Sequence, residues 1–275
     1  MNSKVIILDW GFFMFSAGNA CISNPTMHLQ YTVLSMLIGN LKRIGVNKND
    51  TVIIAVDFHG EDYSSWRKLY SEEYKGGRTG LPAATYEKLN VLLKQIDIFS
   101  NFHIIISNHA EADDIMAVGC RYYKDKEVIL CTCDGDLQQM WYYENVKIFS
   151  PHRLSKRYKI KPSNFNVQKF ILKNVNKNHN NIINPLLSEQ AFNDRLKCVN
   201  LLELPANIES QILAELENLP EKENHLELLP YPTLKDRFIK IYGEATEPYN
   251  KSVKYYERKV KKLLKKKALK RGGKK

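Results

Sequence analysis

No run of apolar residues in this sequence reaches the roughly 20 positions that a bilayer-spanning helix needs, which argues against a helical membrane protein. The apolar start, VIIL followed by GFFMFSAGNA, mimics a secretion signal, but Asp9 interrupts it and a buried first strand fits the stretch better. Cysteine is scarce: the five residues 21, 120, 131, 133 and 198 form no CxxC pair. Cys131 and Cys133 fall on one strand face, too close together to close a zinc loop, and no Cys/His set stands near them. All five are expected to be reduced and mostly buried, which places the protein in the cytoplasm. Internal repeats are also missing. So is any charge excess over most of the chain. Of 41 Lys and Arg residues, thirteen lie in 251–275 with one acid, Glu257, leaving 28 bases against 29 acids elsewhere. A neutral body with a strongly basic end attracts a polyanion such as nucleic acid or an anionic surface, or simply carries a solvated charge run.

What the chain does contain is enough for a large core, with 275 residues of which 44% are hydrophobic. Strands are predicted at KVIILD (4–9), TVIIAVD (51–57), FHIIIS (102–107), EVILCT (127–132) and NVKIFS (145–150). Four of these are near-continuous apolar or β-branched runs, the pattern of strands covered on both faces. Helical periodicity spans about 27–44, 84–98 and 112–123. The alternation predicts an α/β fold with a doubly wound, mostly parallel sheet. Beyond residue 150 only helices follow, at 164–174, 187–200, 206–217 and 232–241. The segment KSVKYYERKVKKLLKKKALK keeps Val253, Tyr256, Val260 and Leu263/Leu264 at helical spacing, so it reads as an amphipathic helix with a saturated basic face. Three regions result: 1–150 as the α/β domain, 151–243 as a helical region and 244–275 as a basic helix or tail.

Each of the first four strands delivers acid to its C-terminal end: Asp9, Asp57, then Glu111, Asp113 and Asp114 of AEADDIMAV, then Asp134 and Asp136 of CDGDLQQM. In an open parallel sheet those ends line one crevice, where ligands bind. Glu111 and Asp114, three residues apart, share a helix face, whereas Asp113 points elsewhere on the turn. Each acid alone could cap a helix or close a turn, and Gly135 could supply an unusual backbone angle. Convergence of all of them on one edge instead calls for hard divalent cations, Mg²⁺ or Mn²⁺. Carboxylate-held metal in such a crevice suggests phosphoryl chemistry. Cations for the substrate would come from SSWRKLYSEEYKGGRTG (64–80), with Arg67, Lys68, Lys75 and Arg78 on a loop or short helix over the crevice.

The pieces ILDW, AVDFHGEDYSSWRKLYSEEYKGGR, EADD and CDGDLQQMWYYENVKIFSP together resemble the flap endonuclease/5′-nuclease family with its PIN-like domain. A weaker likeness runs through LSEQAFNDRLKCVNLLELPANIESQI (187–212), so the resemblance covers the chain to about residue 215. It implies a metal-dependent phosphodiesterase that removes RNA primers and 5′ flaps during DNA replication, in the host cytoplasm if the chain is phage-encoded. It implies that Asp9, Asp57, Asp114 and Asp134 hold a first Mg²⁺ or Mn²⁺, with Asp113 beside them and Glu111 and Asp136 leaning toward a second. Arg67, Lys75 and Arg78 would serve the scissile phosphate, Lys75 as the electrophile. Lys68, Tyr74, Arg153, Lys156, Arg157, Lys259, Lys262 and Lys266 would bind nucleic acid, and Trp66 and Tyr74 would pack the loop or stack on a frayed base.

One departure concerns the second cation. The family usually carries a GDxxDN-type motif that supplies acids for it. The corresponding stretch here, NKNHNNIIN (176–184), sets Lys177 and Asn180 in the acidic places, so that site is weak, absent or rebuilt with Asp194 or Glu189. The expected partners are DNA with a 5′ flap or an RNA/DNA hybrid, a single-strand-binding protein and a polymerase clamp, with no membrane and a monomeric state. A PIN-type ribonuclease for single-stranded RNA and a replication accessory with decayed catalysis stay open as alternatives.

Overall fold

The computed structural model describes residues 3–58, 65–71, 74, 80–152, 158–175, 188–225, 228–229 and 231–241. The predicted basic helix at 251–270 lies outside them, as do Lys259, Lys262 and Lys266. Five parallel strands form one sheet in the order β3-β2-β1-β4-β5, with β1 Val5–Asp9, β2 Thr51–Ala55, β3 His103–Ile105, β4 Val128–Cys131 and β5 Val146–Phe149. The chain builds β1, β2 and β3 in one direction, then crosses back to place β4 on the other side of β1. The switch in strand order therefore falls between β1 and β4, where a crevice opens at the carboxyl ends.

Side chains alternate across the sheet, as the two-residue period of a strand requires. Ile6, Leu8, Val52, Ile54, Ile129 and Cys131 face one core, and Val5, Ile7, Ile53, Ala55, Val128 and Leu130 face a second. The first core is roofed by α1 (Trp10–Ser23), α2 (Leu29–Ile44) and α3 (Ala83–Phe99). The second lies under α4 (Ala112–Tyr122). In α2, Val33, Leu34, Leu37, Ile38, Leu41 and Ile44 are buried at three- and four-residue spacing, and Gly45, at φ 78°, closes the helix in the left-handed conformation.

The helix α1 was not predicted. Its sequence, WGFFMFSAGNACIS, has no clean apolar stripe and two glycines, so periodicity alone gives no helical signal. Asp9 starts it by accepting the Phe12 N–H at 3.2 Å. Gly18 admits the Leu81 side chain, which would stand 2.7 Å from a Cβ at that position.

The helices after the sheet are α5 (Val167–Val175), α6 (Glu189–Val199), α7 (Ala206–Glu217) and α8 (Pro232–Ile241), close to the predicted spans. They dock on the sheet domain rather than standing apart. α7 packs on α4 and α8 on α2. Polar clamps, buried at Gln139 and half-buried at Arg121, hold α7 and the segment between α6 and α7. The Gln139 amide donates to the Val199 carbonyl at 2.9 Å and accepts from Leu201 N–H at 3.0 Å. Arg121 donates to Glu209 at 2.9 Å and to the Leu201 carbonyl at 3.0 Å. On the other face Phe238 is fully enclosed and meets the rings of Phe99 and Phe102.

All five cysteines are free, but only Cys120 and Cys131 are buried, and Cys133 is exposed. The expectation of mostly buried thiols fails there because β4 ends at Cys131, so Cys133 lies in the loop beyond the strand.

If α8 belongs to the core, Phe238→Ala lowers unfolding stability by about 3–5 kcal/mol. A urea denaturation curve with an unchanged slope and a shifted midpoint checks this.

Candidate active site at the carboxyl edge of the sheet

The register of the sheet builds the site. Asp9 is the last residue of β1, and β4 runs level with it, so Thr132 follows β4 directly beside Asp9. The buried Thr132 hydroxyl donates to Asp9 Oδ2 at 3.0 Å and accepts the Asp134 N–H at 2.9 Å. It thus joins the two acids on either side of the strand-order switch. Asp57, two residues beyond β2, accepts the Ala112 N–H at 2.8 Å and so fixes the start of α4 beside the same edge.

Charge coupling shows which carboxylates gather. Burial raises the Asp9 carboxyl from 3.8 to about 6. Hydrogen bonds from Thr132 and Phe12 offset part of that rise, and the charges of Asp57 and Asp134 add to it. The Asp113 carboxyl is held well above its usual range by burial and by Asp134, Asp9, Asp57 and Glu111. Asp9, Asp57, Asp113 and Asp134 therefore form one electrostatic group. Among the described residues no three acidic, histidine or thiol groups already form a metal-holding cluster. Like charges without a counterion repel, so a closed coordination shell is not expected from the protein alone. As a donor set, four carboxylates without thiol or imidazole suit a hard divalent cation.

Two expectations reverse here. Asp113, expected to point away, belongs to the acid group, whereas Asp114, expected as a first-metal ligand, is turned into the protein. Asp114 is fully buried, and its oxygens accept from Arg67 Nη1 at 2.8 Å, Arg67 Nη2 at 2.6 Å, Trp66 Nε1 at 3.0 Å and Glu111 N–H at 2.9 Å. A carboxylate offers about four lone-pair sites, and these four donors occupy them. The helical turn explains the reversal: adjacent residues point about 100° apart, so only one of Asp113 and Asp114 can face the crevice.

Arg67 also departs from expectation. It was expected at the scissile phosphate, yet it is 2% exposed and paired with Asp114. Its Nε donates to the Cys198 carbonyl at 2.8 Å, its Nη1 lies 3.3 Å from Glu111 Oε2, and its guanidinium stacks over Trp66. Tyr74 was expected to pack the loop or stack on a base. Its hydroxyl donates to Glu111 Oε2 at 3.0 Å, which ties it to the loop-packing role. Glu111 is thereby held by Arg67 and Tyr74, beside the acid group. Lys68 is exposed. Lys75, Arg78, Arg153, Lys156 and Arg157 lie outside the described residues, as does the 176–184 stretch with Lys177 and Asn180.

Asp134 and Asp136 are exposed, and the Asp136 N–H donates to Asp134 Oδ1 at 2.7 Å. Gly135 has φ −74° and ψ −31°, an ordinary helical conformation, so the turn does not need an unusual backbone angle. Asn174 of α5 donates to Asp136 Oδ1 at 2.9 Å. Sequence reasoning missed both Asn174 and Thr132. Only Thr132 left a signal, as a hydroxyl residue between a strand and an acidic turn. Asp194, considered as a replacement acid, accepts from Gln190 within its own helix, and Glu189 is exposed at the start of α6.

A parallel α/β sheet of resolvase-like, PIN-type architecture with acids gathered at its strand-order switch defines a nuclease class of fold. The chain belongs to the 5′-3′ exonuclease family, whose N-terminal resolvase-like domain matches residues 7–171. In fold it is similar to the T5 D15 protein co-crystallised with metal ions, at 16% identity and TM-score 0.51, covering 86% of this chain and 99% of that one. It is likewise similar to a mutant of the T5 5′-exonuclease, at 14% identity and TM-score 0.51, covering 87% and 99%. No curated protein matches it in sequence.

The raised Asp9 carboxyl has a measurable consequence. The folded state binds its proton more tightly than the unfolded state, so its contribution to stability is fully present below pH 3.8 and is lost as pH rises through about 6. In chelator at pH 7.5, Asp9→Asn is expected to melt at a higher temperature than the wild type, and the gap narrows toward pH 4.5. Thermal melts of both proteins across that range test the sign.

Proposed function

We propose that this protein is a divalent-metal-dependent 5′-nuclease that hydrolyses phosphodiester bonds in 5′ flaps and RNA-primed DNA, acting as a monomer in the cytoplasm. The observation that carries the reading is the gathering of Asp9, Asp57, Asp113 and Asp134 at the strand-order switch, where Thr132 bridges Asp9 and Asp134, Asp57 meets the start of α4, and Asp57 and Asp134 act on the raised Asp9 and Asp113 carboxyls. Those four residues would hold Mg²⁺ or Mn²⁺, with Glu111 and Asp136 at the flanks. When bound, such an ion lowers the pKa of a water and offsets charge building on the phosphate.

The chain's own residues do the rest. Thr132 keeps Asp9 and Asp134 at a fixed separation. Asp57 holds the start of α4 so that Asp113 faces the crevice. Lys68 is exposed on the segment that leads to Lys75 and Arg78, and these three are proposed to meet the substrate's phosphates. Residues 1–150 would be the catalytic domain, 151–243 the helical nucleic-acid-binding region, and the basic end, with Lys259, Lys262 and Lys266, a duplex contact. Arg153, Lys156 and Arg157 are proposed to extend that contact, and a single-strand-binding protein and a polymerase clamp are proposed partners. A second reading, a nucleic-acid-binding accessory with weakened catalysis, draws on Lys177 and Asn180, which stand where acids were expected, and on Asn174, which gives Asp136 a neutral hydrogen-bond partner.

Cleavage of a 5′-labelled flap and of an RNA-primed nick, in Mg²⁺ and in EDTA, separates these readings. Short 5′ products are expected in Mg²⁺ and none in EDTA. Asp134→Ala and Asp113→Asn are each expected to slow cleavage by roughly a hundredfold, equivalent to about 2.7 kcal/mol of transition-state stabilisation. Tight binding without cleavage would favour the accessory.

Metal binding is expected to stabilise the fold as well. Mg²⁺ at a hundred times its dissociation constant adds about 2.7 kcal/mol. Scanning calorimetry should show a higher melting temperature for the wild type in Mg²⁺, and a much smaller rise for Asp113→Asn.

A further inference from the structure

The buried ion pair between Arg67 and Asp114 joins three segments that are remote in sequence. Residues 65–74 supply Trp66, Arg67 and Tyr74. The first turn of α4 supplies Glu111 and Asp114. The end of α6 supplies the Cys198 carbonyl, 131 positions from Arg67. The contact is reciprocal, since Cys198 Sγ lies 3.6 Å from the Arg67 carbonyl. Buried charges persist where geometry and further hydrogen bonds satisfy them, and here the guanidinium fork meets both Asp114 oxygens while Nε takes the α6 carbonyl. A guanidinium so enclosed reaches a phosphate only by breaking this network.

We propose that Arg67 and Asp114 form a latch. It fastens the C-terminal helical segment to the acid edge of the sheet and sets the orientation of Glu111 and Asp113, so that Arg67 is a positioning residue rather than a phosphate ligand. This rests on the reading of the site as a metal-dependent nuclease. Asp114 acts through the Glu111 N–H, which fixes the turn that carries Asp113. Arg67 acts through Glu111 Oε2, where Tyr74 also donates. Lysine cannot reproduce the arrangement, because an ammonium is a point donor and lacks the planar fork.

The test compares the wild type with Arg67→Lys and with the doubly apolar Arg67→Met/Asp114→Leu. The double variant avoids leaving one buried charge unpaired and so guards against simple misfolding. Three readouts are used. The first is flap-DNA binding in EDTA as a function of salt. The second is the Mg²⁺ concentration that gives half of the thermal stabilisation, together with kcat and KM. The third is amide exchange across 189–199.

For both variants the latch predicts an unchanged salt slope and a KM within about twofold. It also predicts a half-saturating Mg²⁺ raised at least about threefold, a kcat lowered at least about tenfold, and exchange across α6 accelerated about tenfold. A phosphate contact predicts the opposite for the double variant: a salt slope shallower by about one, a raised KM, and unchanged exchange in α6. That result, or a variant indistinguishable from the wild type, overturns the latch. If cleavage proves insensitive to EDTA and to Asp113→Asn, the nuclease reading fails. The salt slope and the α6 exchange still decide the latch in that case.

Discussion

Repulsion among carboxylates that the backbone does not allow to separate is the constraint around which this molecule is arranged. A parallel sheet puts every strand's carboxyl end on one side, and the register here sets Asp9 beside Thr132 and close to Asp57 and Asp134. Asp113 is driven into the same space by the first turn of α4. Burial and the neighbouring charges push Asp9 and Asp113 toward their protonated forms. A cation relieves both effects at once. The fold thus holds, through its own backbone, an arrangement whose electrostatics stay unfavourable until a counter-charge is present.

Holding such an edge requires rigid support, and polar clamps provide it on the α4 side of the sheet. Asp57 ties β2 to α4, Thr132 ties β1 to the loop after β4, and Gln139 and Arg121 tie the sheet domain to the chain that follows α6. Each is a buried or half-buried polar group that meets backbone amides, carbonyls, a carboxylate or an opposite charge, so much of its desolvation is offset by hydrogen bonding. Apolar packing alone is less directional and would leave the relative placement of α4 and α6 less sharply defined. On the opposite face α8 is held by Phe238 packing on Phe99 and Phe102 and by Arg237, which donates to the Ser35 hydroxyl at 2.9 Å.

The pair of adjacent aspartates in EADD shows how one motif divides its work. Asp113 faces the crevice and carries charge to the acid group. Asp114 faces inward and carries charge to Arg67. The same division separates Arg67 from Lys68: one is enclosed and the other exposed, though they are neighbours in the chain.

Much of this was legible in the residues themselves. Apolar or β-branched runs, near-continuous in four cases, mark all five strands within a residue or two, and the helices after residue 150 follow from their three- and four-residue spacing. The acids that end each strand were visible because a parallel sheet assigns them all to one edge before any coordinates exist. The helix α1 was not legible, since an all-round apolar segment with two glycines has no periodicity to read, and its start depends on a cap made by Asp9. Nor was the choice between Asp113 and Asp114, or the burial of Arg67. Spacing says that neighbouring helix residues diverge, but which of them meets solvent is decided by what packs against the helix. Here that is Arg67, Trp66 and the end of α6, brought from far along the chain. The sequence by itself determined the sheet, its acidic edge and the chemistry such an edge invites. Tertiary structure alone decided which charges face the crevice and which are neutralised inside, because that depends on contacts between segments whose sequence separation carries no periodic signal.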